Sequence, residues 1–198
     1  MPSVALTLVE GLAAAALLGG AAYGARAALA ARRRPARSRE ALRGAAKSLR
    51  LPVVKPEIFS GWTLEEAYGG EIDEQMVLAG YGFRAPSDGR KATAAGLVLL
   101  ARLPKAFRNG FTLALKDGRP APAVGDAALA AALLEDAAAH AAAAEFLRGD
   151  DAAWIDHTGA GTVLPDGALD EHAVRDRLER GVRASKALQN AGRRLKLA

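Results

Sequence analysis

The hydrophobic pattern of the chain changes along its length, and the first segment is apolar on every side. Residues 4–31 are rich in alanine and leucine, and between positions 4 and 25 the only side chain charged at neutral pH is Glu10. About 20 apolar residues in a helix span the core of a bilayer. The basic run Arg32-Arg33-Arg34 follows at once. The pattern predicts a single transmembrane anchor over residues 1–31.

Two other interpretations of this segment stay open. A helix surrounded by protein would also lack a polar face, as residues 11–25 do. A cleaved secretory signal could use the small residues at positions 28–30, but signal peptides carry positive charge before the apolar stretch, and the first basic side chain is Arg26. Gly20 and Gly24 form a G-x-x-x-G pattern, which lets two membrane helices approach closely. They are the candidate residues for helix self-association.

After the anchor, residues 57–125 have the pattern of a β-rich half. Apolar and polar positions alternate from Trp62 to Tyr68, and Gly69-Gly70 has the composition of a hairpin turn. The pattern predicts strands over residues 62–68, 71–79, 93–103 and 111–115. A loop is expected over residues 80–89, and the prolines at positions 120 and 122 predict an open stretch.

The second half changes to a helical period. Asp126 is a suitable N-cap for an alanine-rich helix reaching Leu147, with a break allowed in its alanine-only middle. Two short strands are expected over 154–157 and 162–164. A final helix over 168–192 carries one apolar face, formed by Val174, Leu178, Val182, Ser185 and Leu188. The sequence therefore predicts an α+β domain over residues 57–198, with a mainly antiparallel sheet and two packed helices.

Charge near the anchor predicts its orientation. Residues 32–56 form a basic juxtamembrane segment and a proline-containing linker, and between Arg32 and Arg50 there are eight basic side chains and one acid. Lysine and arginine resist translocation, so the domain is expected in the cytoplasm of a bacterium, on its inner membrane. The residues proposed to lie nearest the lipid headgroups are Arg32, Arg33, Arg34, Arg37 and Arg39.

The net charge of +5 and the isoelectric point near 9.8 would suggest nucleic acid, but the charge is unevenly distributed. Residues 51–179 carry 12 basic and 20 acidic side chains, a net charge of −8. An acidic body between two basic ends argues against duplex binding. The basic C-terminal residues proposed to contact lipid or a partner are Arg193, Arg194 and Lys196.

Candidate chemistry is sparse. The chain has no cysteine, and its histidines, His140, His157 and His172, lack the spacing of a metal site. Asp156 and His157 would point to opposite faces of a strand, which disfavours a catalytic pair. No serine lies in a G-x-S-x-G setting, and the glycines at 159 and 161 precede a strand rather than a phosphate-binding helix. No catalytic residue, cofactor or metal is predicted.

In layout, the chain resembles bacterial membrane-anchored proteins that have one anchor and a β-rich domain closed by a helix. That resemblance rests on no shared motif and implies no activity. The sequence therefore favours a single-pass, non-catalytic binding or assembly component, whose partners are the lipid bilayer and another protein or a second copy. The alternatives are a membrane-anchored enzyme that uses carboxylates, or a lipid-surface or nucleic-acid binder that uses the basic ends. No small-molecule substrate is indicated.

Overall fold

A computed structural model describes residues 35–55, 58–59, 62–84, 94–148, 152–165 and 170–196. The predicted anchor, with Gly20, Gly24 and the arginines at 32–34, lies outside the described residues. The described part is an α+β fold. Its helices are α1 (residues 35–48), α2 (Ala127–Leu134), α3 (Ala137–Arg148) and α4 (Glu171–Arg194).

The sheet of the described part has eight strands, and every neighbouring pair is antiparallel, as the sequence predicted. The spatial order is β1-β2-β3-β4-β8-β7-β5-β6. The strands are β1 (Ile58–Phe59), β2 (Trp62–Ile72), β3 (Gln75–Arg84), β4 (Ala94–Arg102), β5 (Phe111–Lys116), β6 (Arg119–Gly125), β7 (Trp154–Asp156) and β8 (Gly159–Pro165).

The hairpin turn predicted at Gly69-Gly70 is wrong. Both glycines lie inside β2, and the turn follows at Asp73 and Glu74, whose φ angles are +49° and +67°. The glycines serve packing instead, because the segment 51–55 pairs antiparallel with β2 there, through hydrogen bonds from the Val54 N–H to Ala67 O and from the Gly69 N–H to Pro52 O, both 3.0 Å. A Cβ at Gly69 would lie 3.2 Å from the side chain of Val54.

Two further strands depart from the prediction. β3 continues to Arg84, through part of the expected loop over residues 80–89. Pro120 and Pro122, expected to keep the chain open, lie in β6. β6 is the last strand of the sheet, and proline is tolerated on an edge strand because its missing N–H faces away from the ladder.

The described part contains four helices rather than the two predicted. The expected helix over residues 126–147 is broken between α2 and α3, whose axes differ in direction by 104°. Asp136 begins α3, because its Oδ1 accepts the backbone N–H groups of Ala138 and Ala139 at 3.1 and 3.0 Å. Helix α1 occupies much of the segment that the sequence assigned to a juxtamembrane linker.

All four helices pack on one face of the sheet. Helix α1 and the first half of α4 cover β3 and β4, while α2, α3 and the second half of α4 cover β5, β7 and β8. The predicted inward face of α4 is confirmed, since each of its four aliphatic side chains is at most 2% exposed: Val174, Leu178, Val182 and Leu188. Helix α4 does not end at Gly192, which is buried, but continues to Arg194.

The opposite face of the sheet, here called the open face, carries a separate apolar cluster to which no described helix contributes. Its buried members are Trp62, Leu64, Ala67, Val98 and Leu100, and the partly buried side chains packed on them are Val54, Leu78, Trp154 and Val163.

The sheet has two distinct ends. At one, here called the Trp62 end, Trp62 pairs with Arg84. At the other, the Gln75 end, β3 begins and Met76 pairs with Arg102. Helix α1 runs from the first end towards the second. Arg39 near its start lies over Tyr81, while Leu51 just beyond its end lies beside Gly70.

Helix α4 runs in the same direction. Ser185 Oγ donates a 2.8 Å hydrogen bond to the carbonyl of Ala101, and Gln189 meets Gln75 four residues later. At 1.5 Å per residue, the 24-residue helix is about 36 Å long. The start of α1 and the end of α4 therefore lie at opposite ends of the described fold.

Candidate functional site

A cleft of about 640 Å³ lies at the Gln75 end, beside the last turn of α4. It is lined by Lys105, Ala106, Arg108, Asn109, Asp126, Ala128, Leu129, Ala132 and Lys196. We call it the basic cleft. Three segments that are distant in sequence form it: the loop after β4, the start of α2 and the turn that follows α4.

The loop after β4, which carries Lys105 and Arg108, is fixed by backbone hydrogen bonds. The N–H of Leu103 donates to Thr158 O at 2.8 Å, and the N–H of Phe107 donates to His157 O at 3.0 Å. Phe107 is buried and its ring packs against Phe111, with 5.6 Å between centroids. Lys105 and Arg108 flank this buried ring in sequence and are themselves exposed.

The acidic side chain in the cleft lining, Asp126, already accepts hydrogen bonds from the protein. Asp126 caps α2, accepting the Leu129 N–H at 2.9 Å and the Asn109 side-chain amide at 2.7 Å. Both hydrogen bonds lower the pKa of Asp126, and the bond from the Leu129 N–H has the larger effect. The carboxylate therefore stays ionised and acts as the helix cap. Within the described part of the chain, none of the cleft's three cations, Lys105, Arg108 and Lys196, forms an ion pair.

The cleft therefore offers positive charge beside an apolar wall formed by Ala128, Leu129 and Ala132. Such a surface can hold an anionic group attached to an apolar one. No serine, threonine, cysteine or histidine is among its described lining residues, and its carboxylate has no proton to donate near neutral pH.

The structure separates the three C-terminal residues that the sequence grouped. Arg194 forms an ion pair with Asp136 at the start of α3. Lys196 lines the basic cleft, and Arg193 is exposed. The residues that complete the cleft from the loop, Lys105 and Arg108, were not singled out by the sequence, since no local spacing connects them to the end of α4.

The basic residues that follow the predicted anchor also differ in their contacts. Arg37 is exposed on α1, whereas Arg39 pairs with Glu65 and stacks on Tyr81, with 4.7 Å from its guanidinium carbon to the ring centroid. Arg43 binds both carboxylate oxygens of Glu66, at 2.7 and 3.0 Å.

The Arg43–Glu66 pair is part of a short hydrogen-bond network. The hydrogen bond from Arg43 lowers the pKa of Glu66, and Glu66 also accepts the Tyr68 hydroxyl at 2.7 Å. That bond to an ionised acceptor raises the pKa of Tyr68. The network joins α1 to β2, so part of the basic run stabilises the fold rather than remaining free for lipid.

The histidines do not converge. Among the described residues, no group of three or more His, Asp or Glu side chains is arranged to hold a metal ion. Asp156 binds the backbone N–H and the hydroxyl of Thr158 in the β7–β8 turn, at 2.7 and 2.6 Å. The hydrogen bonds of Asp156 therefore stabilise the β7–β8 turn.

No single helix in the described ranges has both the length and the apolar character that crossing a membrane requires. Helices α2 and α3 have that length and apolar character only when they are taken together, across the 104° bend between them.

No protein-family model matches the chain, and no curated protein matches it in sequence. Among solved structures, it is similar to the crystal structure of the mycobacterial trehalose monomycolate transport factor A, TtfA. The two are 12% identical, the match covers 79% of this chain and 94% of that one, and the TM-score is 0.44.

Proposed function

We propose that the protein is a non-catalytic binding or assembly component, held at the bacterial inner membrane by residues 1–31 with its folded domain in the cytoplasm. The proposal rests on the separation of two features. The first described residues of α1 lie at the Trp62 end, and the basic cleft lies at the Gln75 end, where α4 finishes. An anchor before α1 would point the cleft away from the bilayer, with the roughly 36 Å length of α4 between them.

The chemistry of the cleft favours an acidic segment of another protein as its occupant. Three exposed cations, none paired with a described acid, surround an apolar wall. Cations concentrated at one site attract an anionic partner there, which favours one docking orientation.

A photo-crosslinking experiment in native membranes tests this proposal. A photoreactive amino acid replaces Ala128 in the cleft wall of the full-length chain, and adducts are identified by mass. We expect one predominant protein adduct. It should be lost when Lys105, Arg108 and Lys196 are changed together to Glu.

The matched control reverses three other exposed cations that form no ion pair with described residues, Lys55, Lys116 and Arg119. The adduct should survive this change of equal charge. An adduct that persists in the cleft variant, or one lost equally in both variants, would contradict a specific acidic partner at the cleft.

A further inference from the structure

The open face carries a groove of about 400 Å³ at the Gln75 end of the sheet. Its apolar side chains come from the segment before β2, from β3 and from the loop after β4: Val54, Met76, Leu78, Leu103 and Pro104. We call it the Met76 groove. Among its described lining residues only Lys55 and Arg102 carry a charge.

The groove exposes apolar surface to solvent. Met76 is 52% exposed, and it lies two residues from Leu78, on the same face of β3. Leu78 and Val54 are only partly buried, although both pack on the apolar cluster of the open face. Contiguous apolar surface of this kind is characteristic of interaction sites, and a flexible methionine side chain adapts to the shape of a partner.

The Met76 groove and the basic cleft share one loop. Leu103 and Pro104 line the groove, and the next two residues, Lys105 and Ala106, line the cleft. The hydrogen bond from the Leu103 N–H to Thr158 O fixes this loop. Pro104 and Lys105 are exposed and form the ridge between the two depressions. A molecule held by Lys105 therefore lies one residue from the groove.

The two sites are close enough for one short segment to reach both. Lys105 is three residues beyond Arg102, a distance of at most about 11 Å along the chain. Arg102 pairs with Met76 across β4 and β3, with about 5 Å between Cα atoms. The Cα atoms of Lys105 and Met76 are thus at most about 16 Å apart, which about six extended residues span.

The charges around the two sites differ. The three cations of the basic cleft form no ion pair with a described acid, so the cleft attracts carboxylates. At the groove, Met76 pairs with Glu71 on one side and with Arg102 on the other, and these opposite charges offset each other. A segment that reaches both sites therefore places its acidic residues in the cleft and an apolar side chain in the groove.

We infer that the Met76 groove binds an apolar side chain of the same partner segment whose acidic residues occupy the basic cleft. The inference rests on the proposed function and specifies the partner's chemistry: carboxylates at one end of about six extended residues, and a large apolar side chain such as leucine at the other. The segment crosses the ridge at Pro104, from the helix-covered face of the sheet to the open face.

Photo-crosslinking at two positions tests the shared segment. The photoreactive amino acid replaces Met76 in one full-length chain and Ala128 in another, and the cross-linked peptides are sequenced from native membranes. We expect both positions to attach to one segment of one protein, about six residues apart, with the acidic residues nearer the Ala128 attachment. Attachment to different segments or to different proteins would overturn the inference.

The control position is exposed and apolar but lies on the other face of the sheet. Val53 is 74% exposed, and it pairs with Tyr68, which packs against the core beneath the helices. The photoreactive amino acid at Val53 should not attach to the segment. Attachment there as efficient as at Met76 would show unspecific contact and contradict binding in the groove.

The apolar contact is measured with a labelled synthetic peptide of the cross-linked sequence, titrated against the full-length chain in detergent. Burial of a leucine-sized side chain corresponds to about tenfold or more in affinity, so Met76→Asp should raise the Kd by that factor. Val53→Asp and Lys55→Glu should leave it unchanged. Equal losses from Met76→Asp and Val53→Asp would show a general effect of charge.

A change in the peptide separates direct contact from a structural effect of the variant. Alanine in place of the apolar peptide residue should weaken binding to the parent chain about tenfold, and should have little further effect on binding to Met76→Asp. Additive losses would show that this residue does not bind in the groove.

The cross-links also separate failure of this inference from failure of the proposed function. Attachment from Ala128 without attachment from Met76 leaves the cleft partner in place and overturns the groove contact. Absence of attachment from Ala128 contradicts the proposed function, and attachment from Met76 alone then contradicts a shared segment as well. Cross-links from Met76 to this chain's own sequence would assign the groove to another part of the chain or to a second copy, and would also overturn the inference.

Discussion

Gln75 and Gln189, which are 114 residues apart, form a buried 2.8 Å hydrogen bond from Nε2 of Gln75 to Oε1 of Gln189. Gln75 is fully buried where β3 begins, and Gln189 lies in the last third of α4. The bond fixes the end of the long helix against the β2–β3 turn. It therefore also fixes the position of the residues after α4 that complete the basic cleft.

The two glutamines should differ in their sensitivity to substitution. Gln189→Leu leaves the buried amide of Gln75 without its main acceptor and should lower the free energy of unfolding by about 1–3 kcal/mol. Gln75→Leu should cost less, because Oε1 of Gln75 has no hydrogen-bond partner among the described residues. Urea unfolding of both variants and of the double variant measures the coupling, and additive effects would show that the bond contributes nothing to stability.

Truncation of the α4 core should be the most costly single change on that helix. Leu178 is 1% exposed and packs between α1 and the sheet, so Leu178→Ala should cost roughly 2–5 kcal/mol. Arg183→Ala is the control on the outer face, since its ion pair with Glu145 is half exposed and should contribute less than about 0.5 kcal/mol. Thermal and urea unfolding decide between them, and a larger loss from Arg183→Ala would contradict this packing.

Arg180 lies outside the apolar face of α4, as Arg183 does, but it is half-buried and pairs with Asp176 at 2.8 Å. The inward face of α4 was predictable because apolar residues recur at helical spacing over many turns. The outward face depends on α3, which lies beside it and contributes Glu145. Neighbours from another helix cannot be deduced from the periodicity of one.

Helix α1 shows a different limit of sequence reasoning. Its inward residues Ala41, Leu42, Ala45 and Ala46 do have helical spacing, but the nearby arginines led to the prediction of a basic juxtamembrane segment. Two of those arginines are satisfied by Glu65 and Glu66 of β2, across the tertiary fold. The basic cleft was beyond prediction for a related reason, since Arg108 and Lys196 meet only after folding.

The packing of α1 predicts where the folded domain begins. Leu42 and Ala45 are fully buried among side chains of β3, β4 and α4, so removing α1 exposes that core. A fragment of residues 35–198 should unfold cooperatively in urea. A fragment of residues 51–198 should be less stable by several kcal/mol or should aggregate. Equal midpoints for the two fragments would show that α1 is dispensable.

The Arg43–Glu66 pair predicts a pH dependence. Because the pKa of Glu66 is lowered in the folded protein, its contribution to stability is complete above the ordinary carboxyl pKa of about 4.3. That contribution is lost as the pH falls through the lowered value. Glu66→Gln should therefore reduce stability near pH 7 and flatten the decline below about pH 4.5.

The control for this pH profile is Glu74→Gln, an exposed carboxylate without an ion pair to a described residue. Urea unfolding between pH 3 and pH 7 compares the two variants with the parent. An acid decline in Glu66→Gln as steep as that of the parent would assign the pH dependence to other carboxylates.

Membrane attachment and orientation are the predictions on which the proposed function depends. The full chain should remain with membranes in high salt and alkaline carbonate, and a chain lacking residues 1–34 should not, because the apolar segment is expected to span the bilayer. The absence of cysteine allows orientation to be read from single substitutions. Lys47→Cys should react with a membrane-impermeant maleimide only after lysis, whereas Ser3→Cys should react in spheroplasts. Labelling of Lys47→Cys in intact spheroplasts would reverse the orientation, and release of the full chain by salt alone would show a peripheral protein without a membrane-spanning anchor.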